Sequence, residues 1–139
     1  MKLLITTLTM IFISFSASAF SVEIMYGHCK QYQNSGFQMG SLVGADQTYA
    51  LTCVVYFRAL INSGAKNCRF LRVAKKKGAD TQSSTFKIAK ELMANSQVHA
   101  HAVITSFIKF AENNPDKWST DLTYYHRDFL SSVFPCKLN

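Results

Sequence analysis

The chain contains few residues that interrupt regular structure: two prolines and six glycines in 139 residues. It also lacks any convincing run in which apolar and polar residues alternate, the pattern of a half-buried strand. Every long apolar pattern instead has the helical period of 3.6 residues. These absences argue against a sheet. They predict an all-α protein, a compact bundle of four to five helices.

Catalytic and ligand-binding motifs are missing as well. The eight acidic residues are scattered, and there is no HExxH motif, no glycine-rich phosphate loop and no GxSxG nucleophile. His99 and His101 are two residues apart on a predicted helix, so we expect them on different faces rather than at one metal. His126 lies on the inner stripe of the last helix and is interpreted as a hydrogen-bonded core or edge histidine. The sequence therefore predicts no catalytic residues, no metal, no cofactor and no enzyme.

The only strongly apolar segment of the chain is at its N-terminus. Lys2 supplies a positive charge, Leu3–Phe15 is apolar, and Ala17-Ser18-Ala19 is an A-x-A cleavage site. The alternative, a membrane anchor, is disfavoured because the run is shorter than the roughly 20 residues that span a bilayer. We predict that residues 1–19 are a signal peptide and that residues 20–139 form a single domain in the periplasm.

Charge is strongly biased toward one sign. The chain has 15 Lys and Arg against eight Asp and Glu, and only Lys2 leaves with the signal peptide, so the mature net charge is 14 − 8 = +6. Anionic polymers, anionic lipid and acidic proteins would all be attracted to such a protein. Nucleic acid is not an expected partner in that compartment, and no membrane association is expected after cleavage.

Cysteine is scarce but even in number: Cys29, Cys53, Cys68 and Cys136. The two nearest in sequence are 15 positions apart, whereas zinc sites usually contain close C-x2–4-C pairs, so zinc is disfavoured. An even count in an exported chain predicts two disulfides, although four cysteines allow three pairings. The helix order favours Cys29–Cys53 and Cys68–Cys136. A Cys29 nucleophile beside His28 is then disfavoured, because a disulfide sulfur is not a thiolate.

Five segments carry helical patterns and their end signals. They are Ser21–Gln31, Gln47–Ser63, Ser84–Met93, a strong helix after an N-cap at Asn95-Ser96, and Ser119–Phe134. Gly64 is interpreted as the C-cap of the second helix, so that a basic insertion over 69–95 follows Cys68. Thr120 is the predicted N-cap of the last helix, and Pro135 is its stop. The short Asn113–Trp118 connection predicts an antiparallel hairpin of the last two helices.

The order of these features resembles the Rap/Tai group of immunity proteins, which protect Gram-negative bacteria against amidase effectors delivered by type VI secretion. The resemblance covers about residues 26–136. It is carried by the following residues: Tyr26-Gly27-His28-Cys29, Cys53 with Tyr56-Phe57, Cys68, the helix from Val98 to Asn114-Pro115, and Phe134-Pro135-Cys136. The chain departs from the family in lacking a Gly-Tyr-like pair in its second helix and in following Cys68 with basic residues instead of Pro.

This resemblance implies a periplasmic immunity protein that binds a cognate peptidoglycan amidase, blocks its active-site cleft and can form a homodimer. It implies no particular contact residues. From the residues themselves, the partner-binding candidates are the basic stretch of Arg72, Lys75, Lys76 and Lys77, and Trp118. The competing interpretations are a solvated basic loop for the lysines and hairpin packing for Trp118.

Two other classes of function stay open on the sequence alone. One is a periplasmic chaperone or envelope-stress binding protein, which would bind many unfolded clients weakly. The other is a small secreted enzyme, for which His28 and His126 are the best remaining candidates.

Overall fold

The computed structural model describes residues 20–91 and 98–138, and it is all-α: these residues contain five helices and no strand. The helices are α1 (Val22–Asn34), α2 (Gly44–Lys76), α3 (Ser84–Glu91), α4 (Ala100–Glu112) and α5 (Leu122–Val133). Short 3-10 turns occupy Met39–Ser41 and Pro115–Lys117. The predicted fold class is therefore confirmed. The predicted signal peptide lies outside the described residues.

The main core joins α1, the first half of α2, α4 and α5. Its largest fully buried side chains are aromatic and aliphatic, among them Tyr125, Phe57, Phe107, Phe129 and Met25. Phe107 is the central ring: its centroid lies 4.9 Å from that of Phe57 and 5.8 Å from that of Phe129. Such edge-to-face and tilted aromatic pairs are worth roughly 1 kcal/mol beyond their buried area. Aromatic rings of α2, α4 and α5 therefore meet at the centre of a core to which α1 also contributes.

Helix α2 runs well past the end that the sequence predicts. Gly64 is a buried residue inside the helix, and the buried side continues beyond it through Cys68 and Leu71. The C-terminal glycine is Gly78, whose φ is +83°. Ala79 N–H donates to the Ala74 carbonyl oxygen and Gly78 N–H to that of Lys75, which is a Schellman motif. The prediction that this helix ends at Ser63-Gly64 was wrong, because the buried side of the helix continues past one internal glycine.

The last helix begins later than the sequence predicts, at Leu122 instead of Ser119, where the chain before it contacts the start of α1. Thr120 is not the N-cap, since its carbonyl oxygen accepts a hydrogen bond of 3.1 Å from Val22 N–H. Asp121 takes the N-cap position instead, and its carboxylate accepts from Thr123 N–H at 2.7 Å. The segment before α5 is therefore bonded to the start of α1. At the other end of α5, Val133 carries the apolar spacing of the helix but is 38% exposed.

Two disulfides connect these helices in the pairing that the sequence favours. Cys29–Cys53 joins α1 to α2, with Cα atoms 5.2 Å apart. Cys68–Cys136 joins α2 to the segment after α5, with Cα atoms 5.7 Å apart. All four cysteines are oxidised. Two disulfides are typical of a protein that folds in an oxidising compartment.

A second, smaller cluster surrounds Cys68–Cys136. It contains Leu71 and Phe86 as its other buried members, with Ala74 and Leu138 packed against them. Helix α3 contributes Phe86, and the chain after α5 contributes Leu138. The predicted α4 cap at Asn95-Ser96 lies outside the described residues, and α4 begins at Ala100 with His99 as its N-cap.

Candidate functional site

The predicted basic stretch is the last turn of α2 rather than a loop. Arg72 Nε donates a hydrogen bond of 2.8 Å to the Lys137 carbonyl oxygen, and Lys75 Nζ donates one of 2.9 Å to that of Leu138. Two of the four basic residues predicted to bind a partner are therefore bonded to the chain's own C-terminal segment. A charged donor to a backbone oxygen contributes roughly 1.5–3 kcal/mol at best and less where solvated.

Lys76 and Lys77, the other two basic candidates, are exposed. Both lie at the C-terminal end of α2, where a positive charge interacts favourably with the helix dipole. Next to them, a cavity of about 480 Å³ is lined by Lys75, Lys87 and Lys137 together with Phe86 and Leu138. This end of the molecule is accordingly cationic and partly apolar.

Trp118 is packed against the domain, in agreement with its interpretation as a packing residue between the last two helices. Its indole Nε1 donates a hydrogen bond of 2.8 Å to the Ala111 carbonyl oxygen at the end of α4. Its ring centroid lies 5.0 Å from that of Tyr26. Tyr26 in turn donates through its hydroxyl to Glu112, which also accepts from Lys30 at 3.0 Å. The indole thus fastens the α4–α5 connection to α1.

His126 is the edge histidine that the sequence predicts. Its Nδ1 shares a hydrogen bond of 3.2 Å with the Tyr56 hydroxyl, which links α5 to α2. Burial lowers the pKa of the His126 imidazole, although Asp121 and the Leu122 backbone oppose the shift. Burial also raises the pKa of Tyr56 to about 12. At neutral pH both side chains therefore stay uncharged, which suits a structural link better than proton transfer.

His28 is poorly placed for nucleophilic catalysis. Its ring stacks on Tyr49 at a centroid distance of 4.7 Å and lies 5.5 Å from Phe20. Its buried Nδ1 has no hydrogen-bond partner among the described residues. Burial lowers the pKa of this imidazole. Because the neighbouring Cys29 is in a disulfide, the pair offers no thiolate.

His99 and His101 are both exposed, and both line one cavity at the start of α4. The cavity has a volume of about 460 Å³ and is also lined by Arg58, Ile61 and Asn62. The helical rule for residues two positions apart does not apply to this pair, because His99 precedes α4 and has an extended backbone, with φ −73° and ψ 143°. His101 Nε2 is already engaged, 2.9 Å from the Tyr32 hydroxyl oxygen.

The described part of the chain shows no group of three or more metal-binding side chains. Within that same part, none of the helices is both long enough and apolar enough to cross a bilayer.

A further exposed surface combines apolar and cationic side chains, and only Lys77 of it was identified from the sequence. We call it the α2 outer face: Lys66, Arg69, Phe70, Val73 and Lys77. These residues recur at three- and four-residue intervals, so they share one side of the helix. Phe70 is 70% exposed and Val73 is 44% exposed. The three- and four-residue spacing is present in the sequence. It was not interpreted as one side of a helix, because the helix was predicted to end at Ser63.

Comparison of the chain with family models, with curated proteins and with solved structures gives no match.

Proposed function

We propose that this protein is a periplasmic immunity protein that binds a cognate peptidoglycan amidase effector and blocks its active-site cleft. The observation that carries the proposal is the disulfide framework. It pairs the four cysteines in the order α1–α2 and α2–C-terminal segment, at the sequence positions on which the resemblance to the Rap/Tai group rests. It also leaves no free thiol for catalysis.

The physical form of the molecule supports inhibition by binding. A scaffold cross-linked at Cys29–Cys53 and Cys68–Cys136 loses little conformational freedom when it docks, and such preorganisation strengthens association. The histidines that would serve an enzyme, His28 and His126, are partly buried beside aromatic side chains. The formal charge of +7 for the whole chain favours a partner with an acidic surface.

Co-expression with the product of the adjacent open reading frame tests the proposal. That product is directed to the periplasm with and without this protein, and lysis is followed by optical density. We expect lysis to be prevented and a one-to-one complex to be recovered on purification. Titration of the purified pair on isolated peptidoglycan should end the amidase activity at one equivalent.

Two controls define the result. A catalytically inactive form of the neighbour should cause no lysis, and this protein without its first 19 residues should not protect, since it stays in the cytoplasm. Continued lysis in the presence of the periplasmic protein, or a neighbour that is not toxic, would count against the immunity role.

A periplasmic chaperone or envelope-stress binding protein is the second candidate. It is favoured by the exposed apolar side chains Val43, Phe70 and Tyr124, which are 81%, 70% and 72% exposed. A chaperone would suppress aggregation of several unrelated unfolded proteins at micromolar concentration. An immunity protein would leave their aggregation unchanged.

A further inference from the structure

The α2 outer face is directed away from both hydrophobic clusters. On the opposite side of the same turns, Gly64, Cys68 and Leu71 are buried. Phe70 and Val73 therefore belong to neither core, and Phe70 keeps most of its surface in water while Val73 keeps somewhat less than half. Exposed apolar side chains set among cations are a frequent feature of binding surfaces.

The composition of this face is that of an interface centre. An aromatic ring, an arginine and a β-branched residue lie within four positions of one another, at Arg69, Phe70 and Val73. Aromatic residues and arginine are enriched at protein–protein interfaces and carry most of the binding energy there. Because they project from a helix whose buried side is tied down by Cys68–Cys136, little ordering is left to occur on binding.

The positive charge of the α2 outer face favours a partner with an acidic surface. Lys66, Arg69 and Lys77 are all exposed, and the only acidic residue in α2 is Asp46, near its first turn. The ion pairs of the described residues, Lys30–Glu112 and Lys117–Asp128, lie elsewhere. Two copies that met through this face would oppose like charges, which disfavours a homodimer here. The complementary surface is acidic, with an apolar pocket for a phenyl ring.

We propose that the α2 outer face is the docking surface for the effector protein, with Phe70 inserted into an apolar pocket and Arg69 opposite a carboxylate. This inference rests on the proposed function and adds its contact surface. It replaces Arg72 and Lys75, which bind the chain's own C-terminal segment.

The test measures binding of the purified mature protein to the purified product of the adjacent open reading frame. Phe70→Ala is expected to weaken the complex about 30-fold, mainly through faster dissociation. Arg69→Glu is expected to slow association about 10-fold at low salt and to reduce the dependence of the association rate on salt. Circular dichroism of each variant checks that the fold is kept.

Matched controls lie on other helices. Tyr124, on α5, is 72% exposed, and Lys109, on α4, is exposed and cationic. Tyr124→Ala and Lys109→Glu should leave the dissociation constant within about twofold of the wild-type value. An equal loss in the control variants would mean that affinity follows overall charge or apolarity, and would overturn a localised docking face.

The outcomes separate the two proposals. If the wild-type protein does not bind the neighbour at all, the immunity role fails and the docking face fails with it. If the wild-type protein binds and both face variants bind equally well, only the docking face is overturned. If Phe70→Ala abolishes sedimentation with vesicles of phosphatidylcholine and phosphatidylglycerol but not the protein complex, the face is a lipid-binding surface and the inference is wrong.

Discussion

The two hydrophobic clusters of this protein are held together by different means. Among the residues that the structure describes, the main core contains 18 buried residues from four helices, with a connected set of aromatic rings at its centre. The second cluster contains four buried residues among those described, and two of them are the bridged pair Cys68 and Cys136. Buried apolar area stabilises the first, at roughly 25 cal/mol per Å². The second depends mainly on a covalent bond, because so little area is buried around it.

This difference bears on function, because the second cluster supports the α2 outer face. A small cluster cannot hold a long helix end in place by packing alone. The disulfide, with Arg72 and Lys75 bonded to the C-terminal segment, compensates for the missing area. Phe70 can then stay exposed for a partner while the helix that carries it stays ordered.

The largest effect is expected from removing the disulfides one at a time. Cys68→Ala/Cys136→Ala opens a loop of 68 positions and Cys29→Ala/Cys53→Ala one of 24. Chain entropy predicts losses of unfolding free energy of about 4.4 and about 3.4 kcal/mol respectively. Urea unfolding measures the losses. Hydrogen exchange should show that the first pair of substitutions deprotects α3 and the end of α2 before α1 and α4.

Uniform deprotection of all helices by Cys68→Ala/Cys136→Ala would contradict the division into two clusters. A greater loss from Cys29→Ala/Cys53→Ala would do the same, because packing should compensate best where the core is largest.

Truncating one phenylalanine in each cluster gives a matched comparison. Phe57 is fully buried among aromatic rings, whereas Phe86 is 7% exposed and has few buried neighbours. Phe57→Ala is expected to cost about 4 kcal/mol, the loss typical of a dense core, and Phe86→Ala about 2 kcal/mol. Unfolding in urea followed by circular dichroism gives both values. Equal losses would show that Phe86 belongs to a better-packed region than the second cluster.

The periodicity of apolar residues in the sequence was sufficient to predict the helices that form most of the main core. Val22, Met25 and Cys29 recur at helical spacing in the first predicted helix, and Val103, Ile104 and Phe107 do so in the fourth. All six are buried, because each set faces several partners at once and leaves a strong local pattern. Gly64 and Gly78 show where that reasoning fails. Both are plausible helix ends locally, and only the packing of Cys68 and Leu71 against distant segments decides between them.

The candidate site was less predictable than the fold, because it too depends on contacts between segments that are far apart in the sequence. Arg72 was predicted to bind a partner, but its side chain donates a hydrogen bond to a carbonyl oxygen 65 positions away, which no local pattern encodes. Phe70 was overlooked because an aromatic residue can be recognised as exposed only when the buried side of its helix is known. The cavity shared by His99 and His101 likewise depends on where α4 begins.

The smallest effect is expected from mild acid, and it should be confined to the main core. The histidines with lowered pKa, His28 and His126, lie on α1 and α5 at the edge of the main core, and the segments around Cys68–Cys136 contain no histidine. In the unfolded chain each imidazole has a pKa near 6.5, so below that pH the unfolded state binds more protons than the folded state. Stability is therefore complete above about pH 6.5 and falls as the solution is acidified.

His126→Asn keeps a hydrogen-bond partner for Tyr56 but removes the titrating ring. The difference in unfolding free energy between about pH 7.5 and about pH 5 should become smaller in this variant than in the wild type, and the part that remains includes the contribution of His28. Urea unfolding at both pH values measures it. Hydrogen exchange at about pH 5 should show weaker protection in α5 than at neutral pH, after correction for the intrinsic rate, and unchanged protection at the end of α2. Equal acid sensitivity at both places would mean that the two clusters unfold as one unit, and the difference between them would then be one of composition alone.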